Sequence, residues 1–256
     1  MKLDTITSRD NPALVRLRKL AAEATAYRKT GSVWVEGDHL IRAALQRGWR
    51  PALVVLTQEA LQAPALAALA ETAPRALVVP EALFKGVSGL ESPAAIGAEF
   101  TLPASPEMDA GAASVVLDRL QDAGNVGAIL RSAAAFGVRQ VLALKGTAAL
   151  WSPKVLRAGQ GAHFGLRLIE GLAVADLVKL AVPLVATSSH TSQALNRVTL
   201  PSPCAWVMGH EGQGVAAELM ARCALTVGIP QPGGEESLNV AAAAAICLYE
   251  SERQRL

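Results

Sequence analysis

From Ser114 onward, short apolar runs alternate with helical patterns, and this alternation restricts the fold more than any other feature of the chain. Candidate strands are Ser114–Leu117, Gln140–Leu144, Pro183–Thr187, Cys204–Met208 and Ala224–Ile229. Helical segments near 126–136, 175–180, 215–221 and 238–253 fill the gaps. Alternation of this kind predicts an α/β domain with a mostly parallel sheet covered on both faces. Ligands on such sheets sit outside the carboxyl ends of the strands. The loops after Leu117, Met208 and Ile229 are therefore where chemistry is expected.

The first hundred residues read as a separate, small α/β unit. Apolar runs at 33–35, 52–56, 76–79 and 96–100 are separated by helical patterns around 39–47 and 58–72. Ahead of them, Asn11-Pro12 marks a turn and a helix from about Pro12 to Arg28, with Leu14, Leu17 and Ala21 as its apolar stripe. A stretch rich in Pro, Ala and Gly, residues 101–113, reads as a linker. The expected domains are thus 1–100 and 114–256.

Charge is uneven along the chain. The net charge is only +2, yet residues 1–50 hold ten Lys and Arg against five acids, leaving fourteen basic and seventeen acidic residues elsewhere. A basic N-terminal unit suits contact with a polyanion, although a solvated helix face has the same composition. Arg16, Arg18, Lys19 and Arg28 are the candidate phosphate contacts. No apolar run approaches the roughly 20 residues of a membrane span, and the N-terminus lacks a signal-peptide pattern. Cys204, Cys223 and Cys247 have no paired spacing and read as buried free thiols of a reducing cytoplasm. The four histidines show no metal-ligand spacing, so no metal site is expected.

Three loops carry the polar chemistry. After the first strand, Asp122-Ala-Gly-Asn125 forms a turn in which Asn125 is the expected cap of the following helix, with Arg131 off its buried stripe. VMGHEGQGV, residues 207–215, holds Gly209, Gly212 and Gly214 around one carboxylate, Glu211. IPQPGGEESLNVAAAAAICLYE, residues 229–250, brings Pro, Gly, two acids and Ser237-Leu238-Asn239 to a helix start. Each loop taken singly is also what an ordinary cap or tight turn requires. The glycines run GxxGxG, which is not the dinucleotide fingerprint, and no GxxxxGK[ST] is present. Ser237 has no evident His and carboxylate partners for a hydrolase.

Together and in this order, the three loops closely resemble the three motifs of the SpoU (TrmH) RNA 2′-O-ribose methyltransferases. SPKVLRAGQGAHFGLRL, residues 152–168, is similar to the family's stretch between its first two motifs. ITSRDNPALVRLRKL, VEGDHLIRAAL and FKGVSGLESPAAIGAEF resemble its small, ribosomal-protein-like RNA-binding domain. The resemblance implies a SPOUT-type catalytic domain with a trefoil knot, a rare exception to the rule that chains do not thread loops. It also implies S-adenosylmethionine as cofactor, a homodimer, and a structured RNA substrate, ribosomal ahead of transfer RNA. Carried over position by position, it makes Asn125, Arg131, Glu211, Ser237 and Asn239 the catalytic set. Thr187, Met208, Gly209, Glu211, Gly214, Ile229, Gln231, Ser237 and Leu238 become the cofactor-binding set. Two departures stand out: Ala123 where the family often has Pro, and Gln231 where it often has Met. A protein that binds RNA with this fold but without catalysis is the competing reading, and retention of all five polar residues argues against it. A nucleotide-dependent oxidoreductase lacks its fingerprint.

Overall fold

The computed structural model describes residues 1–104, 106–233 and 237–256. Ser105 of the expected linker and the two acids of the third loop, Glu235 and Glu236, lie outside the described residues. The chain divides into two compact units, Met1–Ala104 with Trp151–Arg157, and Ser105–Leu150 with Ala158–Leu256. Reading in chain order does not anticipate that Trp151–Arg157 cluster with the N-terminal unit.

In the first unit the chain runs β1 (Lys2–Thr5), α1 (Pro12–Ala22), α2 (Tyr27–Thr30), β2 (Ser32–Glu36), α3 (Asp38–Gln46) and β3 (Leu53–Thr57). It continues with α4 (Gln58–Gln62), α5 (Pro64–Ala70), β4 (Arg75–Val79), α6 (Glu81–Val87) and β5 (Ile96–Thr101). The sheet order is β1-β4-β3-β5-β2, parallel from β1 to β3 and antiparallel across β5. Asn11 caps α1 by accepting from Ala13 N at 2.9 Å, and Pro12 occupies the first turn, where its missing N–H costs nothing. The expected helix to Arg28 stops early. Glu23 turns extended, with ψ 124°, and the break lets Ala26 and Tyr27 enter the core.

The second unit contains β6 (Ser114–Leu117), α7 (Ala123–Ala135), β7 (Gln140–Leu144), β8 (Arg167–Leu172), β9 (Leu184–Thr187), β10 (Ala205–Met208), β11 (Leu225–Val227) and α10 (Val240–Arg255). Two short helices complete the numbering: α8 (Pro153–Gly159), most of which belongs to the first unit, and α9 (Ala217–Met220). All five strand pairings are parallel, in the order β11-β9-β10-β6-β7-β8. Val116, Leu142, Leu184, Ala186 and Val207 bury one face of this sheet. On the other face, Trp206 is fully buried and donates to Ser251 Oγ of α10 at 2.8 Å. Strands buried on both faces have little room for polar residues, which is why their sequences read as unbroken apolar runs.

The strand order fixes where a ligand belongs. Neighbouring β6 and β10 send their outgoing connections in opposite directions, β6 to β7 on one side and β10 to β11 on the other. Such a reversal opens a crevice at the carboxyl ends of the two strands.

Candidate active site

Two carboxylates clamp the loops that leave β6 and β10. Asp118, at the end of β6 and almost wholly buried, accepts the N–H of Ala216 at 2.7 Å. In return, Glu211 from the β10 loop accepts the N–H groups of Asp122 at 3.2 Å and Gln121 at 3.4 Å. Arg119 forks onto Asp118 at 2.8 and 3.1 Å and reaches Gln213 Oε1 at 3.1 Å, adding a further bond between the loops. The glycines of the β10 loop serve this closure. A Cβ on Gly209 would lie 2.3 Å from the backbone of Gly214 and Val215, and Gly214 has φ +67°. At Gly209 the loop closes on itself, where His210 and Gly214 exchange backbone hydrogen bonds of 3.0 and 2.8 Å.

Asn125 does not cap its helix. Asp122 does, accepting Asn125 N at 2.7 Å, and α7 begins at Ala123. The Asn125 side chain is thereby released to bridge two other loops. Its Nδ2 donates to Glu211 Oε1 at 3.3 Å, and its Oδ1 accepts from Asn239 Nδ2 at 2.9 Å. Asn239 in turn caps α10, its Oδ1 accepting from Ala241 N at 2.9 Å and Ala242 N at 3.2 Å. Every amide orientation in this relay is forced. The N–H groups of α10 require the oxygen of Asn239, so its nitrogen faces Asn125, whose nitrogen is left for the carboxylate. Three loops from three strand ends are thus joined by side chains 86 and 114 residues apart in sequence.

Glu211 anchors the relay as an ionised group. Burial alone would raise its carboxyl, but the hydrogen bonds from its own N–H, Asp122, Asn125 and Gln121 outweigh that and hold it below the usual carboxylate range. A carboxylate satisfied in this way is a poor proton acceptor, which suits positioning and not general-base chemistry. Arg131 and Ser237 stand apart. Both are exposed, and neither makes a hydrogen bond or ion pair among the described residues.

The remaining expected cofactor residues lie along one edge. β9, β10 and β11 are adjacent and parallel, with Thr187 paired to Val227 and Val207 to Ala186. Thr187, Met208, Gly209 and Ile229 consequently gather at the carboxyl ends of three neighbouring strands. Gln231 follows, and its buried Oε1 has no hydrogen-bond partner among the described residues. A buried acceptor left unmatched carries a desolvation cost that an incoming N–H donor removes. An adenine amino group is such a donor, and Leu238, 38 % exposed, offers apolar contact nearby in sequence. The residues present fit S-adenosylmethionine.

In the N-terminal unit the four candidate phosphate contacts differ. Arg16 is bound to buried Glu99 of β5 at 3.1 and 2.7 Å, and that hydrogen bond raises its pKa further. Ser32 Oγ donates to the same carboxylate at 2.7 Å. Arg16 is therefore paired with an acid of its own unit, with 43 % of its side chain still exposed. Among the described residues, Arg18 hydrogen-bonds the carbonyls of Leu14 and Arg9. Lys19 lies 3.9 Å from Glu23, and Arg28 covers the Tyr27 ring at 5.6 Å.

Residues 112–249 match the SpoU rRNA Methylase family, and residues 7–98 match the MRM3-like substrate binding domain. The chain belongs to the SpoU rRNA Methylase family. It is 33 % identical to an uncharacterized tRNA/rRNA methyltransferase of Synechocystis sp., over 98 % of this chain and 94 % of that one. The 23S rRNA (guanosine(2553)-2′-O)-methyltransferase RlmP of Bacillus subtilis is also 33 % identical, over 86 % of this chain and 88 % of that protein. A crystal structure of an AdoMet-bound rRNA methyltransferase from Sinorhizobium meliloti superposes with a TM-score of 0.85 at 28 % identity, covering 99 % of both chains. The expected fold class stands: a SPOUT-type α/β unit with a parallel sheet, and a smaller mixed-sheet unit. With family membership the class of reaction follows, an RNA 2′-O-ribose methyl transfer that uses S-adenosylmethionine.

The sequence did not single out Asp118 or Arg119, and it placed Asp122 in a turn without making it the cap of α7. Asp118 was legible as an acid at a strand end, but its partner Ala216 is 98 residues away.

Proposed function

We propose that the chain methylates a ribose 2′-hydroxyl of ribosomal RNA at the crevice between β6 and β10. The observation that carries this reading is the Asn239–Asn125–Glu211 relay, which ties together the three loops that family members use. S-adenosylmethionine, when bound, supplies a methyl group on an activated sulfonium leaving group. What the chain supplies is alignment, which is worth several kcal/mol in a reaction of this type.

Asn125 and Asn239 fix the floor of the crevice, and Glu211 holds both loops in register. Gln231, Leu238, Thr187, Met208, Gly209 and Ile229 hold the cofactor. Arg131, a permanent cation on the solvent side of α7, grips the phosphate beside the reacting ribose and stabilises the developing alkoxide. Ser237, at the mouth of α10, contacts the ribose.

The active form is a homodimer. Ile246 and Tyr249 of α10 are 39 % and 55 % exposed, and Tyr249 meets Phe136 of α7 edge-on at 6.0 Å. An apolar helix face of this kind is suited to burial against a second copy. Among the described residues no helix is long and apolar enough to cross a membrane. Burial pushes the Cys204 and Cys223 thiols up to about 11 and Cys247 to about 12, consistent with inert thiols in the cytoplasm.

Mapping ribose methylation in ribosomal RNA from cells with and without the protein tests the proposal. Loss of the 2′-O-methyl group at a defined nucleotide supports it, and identical maps refute it.

A further inference from the structure

Arg119 has a backbone conformation that an L side chain rarely adopts. Its φ is 58°, in the left-handed region, where glycine is comfortable and an arginine is strained. A strained residue persists only where its surroundings hold it, and such residues gather at functional sites. Here the support comes from the turn after β7. Gly146 packs against the arginine stem, and a Cβ on it would lie 3.2 Å from Arg119 Cγ. What this conformation secures is the aim of the guanidinium.

The guanidinium closes a circuit around the β10 loop. Asp118 Oδ1 accepts Arg119 Nε at 2.8 Å, while Oδ2 accepts Arg119 Nη2 at 3.1 Å and Ala216 N at 2.7 Å. The remaining arm, Nη1, donates to Gln213 Oε1 at 3.1 Å, and because a guanidinium only donates, the Gln213 amide must face it with its oxygen. The backbone of Gln213 is held as well. Its N–H and that of Gly212 donate to His210 Nδ1 at 3.3 and 3.1 Å. Residues 211–214 are exposed, so packing does not hold them and their position depends on these bonds. Glu211 stands inside the circuit. Its bonds to Asp122, Asn125 and Gln121 are 3.2, 3.3 and 3.4 Å long, longer than those Asp118 accepts. They form only where the loop is set correctly.

We propose that Arg119 is a positioning residue for methyl transfer, holding the β10 loop closed so that Glu211 reaches the β6 loop and Asn125. The proposal rests on the methyltransferase reading and adds to it a group that acts through Gln213 and Glu211. A single solvent-exposed hydrogen bond adds little to global stability. The clamp therefore acts on the closure of the loop and not on the fold.

Hydrogen exchange and turnover test it on the full chain. Arg119→Gly takes the left-handed backbone without strain, so its melting temperature should be no lower than that of the wild type. Exchange should nonetheless quicken at the N–H groups of Gln121, Asp122, Gly212 and Gln213, with the rest of the chain unchanged. Turnover on unmodified ribosomal RNA should fall about tenfold at an unchanged KM for the RNA. Arg119→Lys keeps the charge but should not restore turnover, because an ammonium cannot fork onto Asp118 while reaching Gln213. Gln213→Ala should also slow turnover, and combining it with Arg119→Gly should add nothing, since both break the same link. Wild-type exchange at Gln121 and Asp122 in Arg119→Gly, or losses that multiply in the double variant, would overturn the proposal. A lower melting temperature with faster exchange throughout would overturn it too, by making Arg119 a support of the fold. If the wild type itself transfers no methyl group to RNA, the methyltransferase reading falls and the proposal with it. An active wild type matched by Arg119→Gly and Gln213→Ala removes the proposal alone.

Discussion

His163 makes stability depend on pH in a way that the structure quantifies. The side chain is fully buried, its Nε2 lies 2.9 Å from Leu150 O, and its ring packs so tightly that a Cβ on Gly159 would be 2.4 Å from Cε1. Burial lowers its pKa from 6.5 to about 4, against a smaller opposing effect of the Leu150 carbonyl. The folded state therefore keeps the neutral ring, with Nε2–H donating to Leu150, while the unfolded chain takes up a proton below about pH 6.5. Between those two values the unfolded state binds more protons, and each pH unit of acidification costs the native state up to about 1.4 kcal/mol. The loss attributable to this one group is about 2 kcal/mol at pH 5 and approaches about 3 kcal/mol near pH 4. It has a route to the active site. A Cβ on Gly127 of α7 would lie 2.3 Å from Ala158 Cβ, so the turn held by His163 is packed against the helix that carries Asn125. Urea denaturation at about pH 7.5 and about pH 5 measures the effect in the wild type and in His163→Gln. The variant is less stable at neutral pH but loses about 2 kcal/mol less on acidification. Equal losses in the two proteins would refute the assignment of this pH dependence to His163.

Other substitutions probe the site and its supports. Gly209→Ala forces apart backbone atoms that leave only 2.3 Å for its Cβ, so S-adenosylmethionine affinity should fall sharply in calorimetry. Arg16→Ala leaves Glu99 with Ser32 as its remaining side-chain partner among the described residues, at a cost of about 1 kcal/mol because Arg16 is half-exposed. Thermal unfolding should report that cost, and the salt slope of RNA binding should change little. Asn239→Ala removes the cap of α10 and the donor to Asn125 together. About 1 kcal/mol of stability is expected to go, while turnover falls far more than cofactor affinity.

The fold was legible where burial dictated the sequence. Strands β2 to β7, β9 and β10 are nearly solid apolar runs because both faces are covered. β1 escaped notice because it is a mostly exposed edge strand reading KLDT. β8 is also an edge strand, half-exposed, with an irregular register against β7 at Leu142 and Leu144. At the site, the motif resemblance named the residues of the relay and a Glu211 hydrogen bond to Asn125 or Arg131, which falls on Asn125, but not the link from Asn125 to Asn239. Asn125 looked like a cap because Asn is a good cap, yet Asp122 three residues earlier takes that task and frees it. The Asp118–Ala216 and Glu211–Gln121 contacts join loops nearly a hundred residues apart, and no local pattern encodes such a pairing. Arg16 likewise reads as a surface cation until β5 places Glu99 beneath it.

The central claim is that the Asn239–Asn125–Glu211 relay organises methyl transfer to a ribose 2′-hydroxyl. The most direct measurement incubates purified protein with S-adenosylmethionine and ribosomal RNA lacking the modification, followed by nuclease digestion and mass spectrometry of the nucleosides. The wild type should yield a ribose-methylated nucleoside, and Asn125→Ala should lose that product while still binding S-adenosylmethionine. A methyl group found on a base, or an Asn125→Ala enzyme with wild-type yield, would contradict the account.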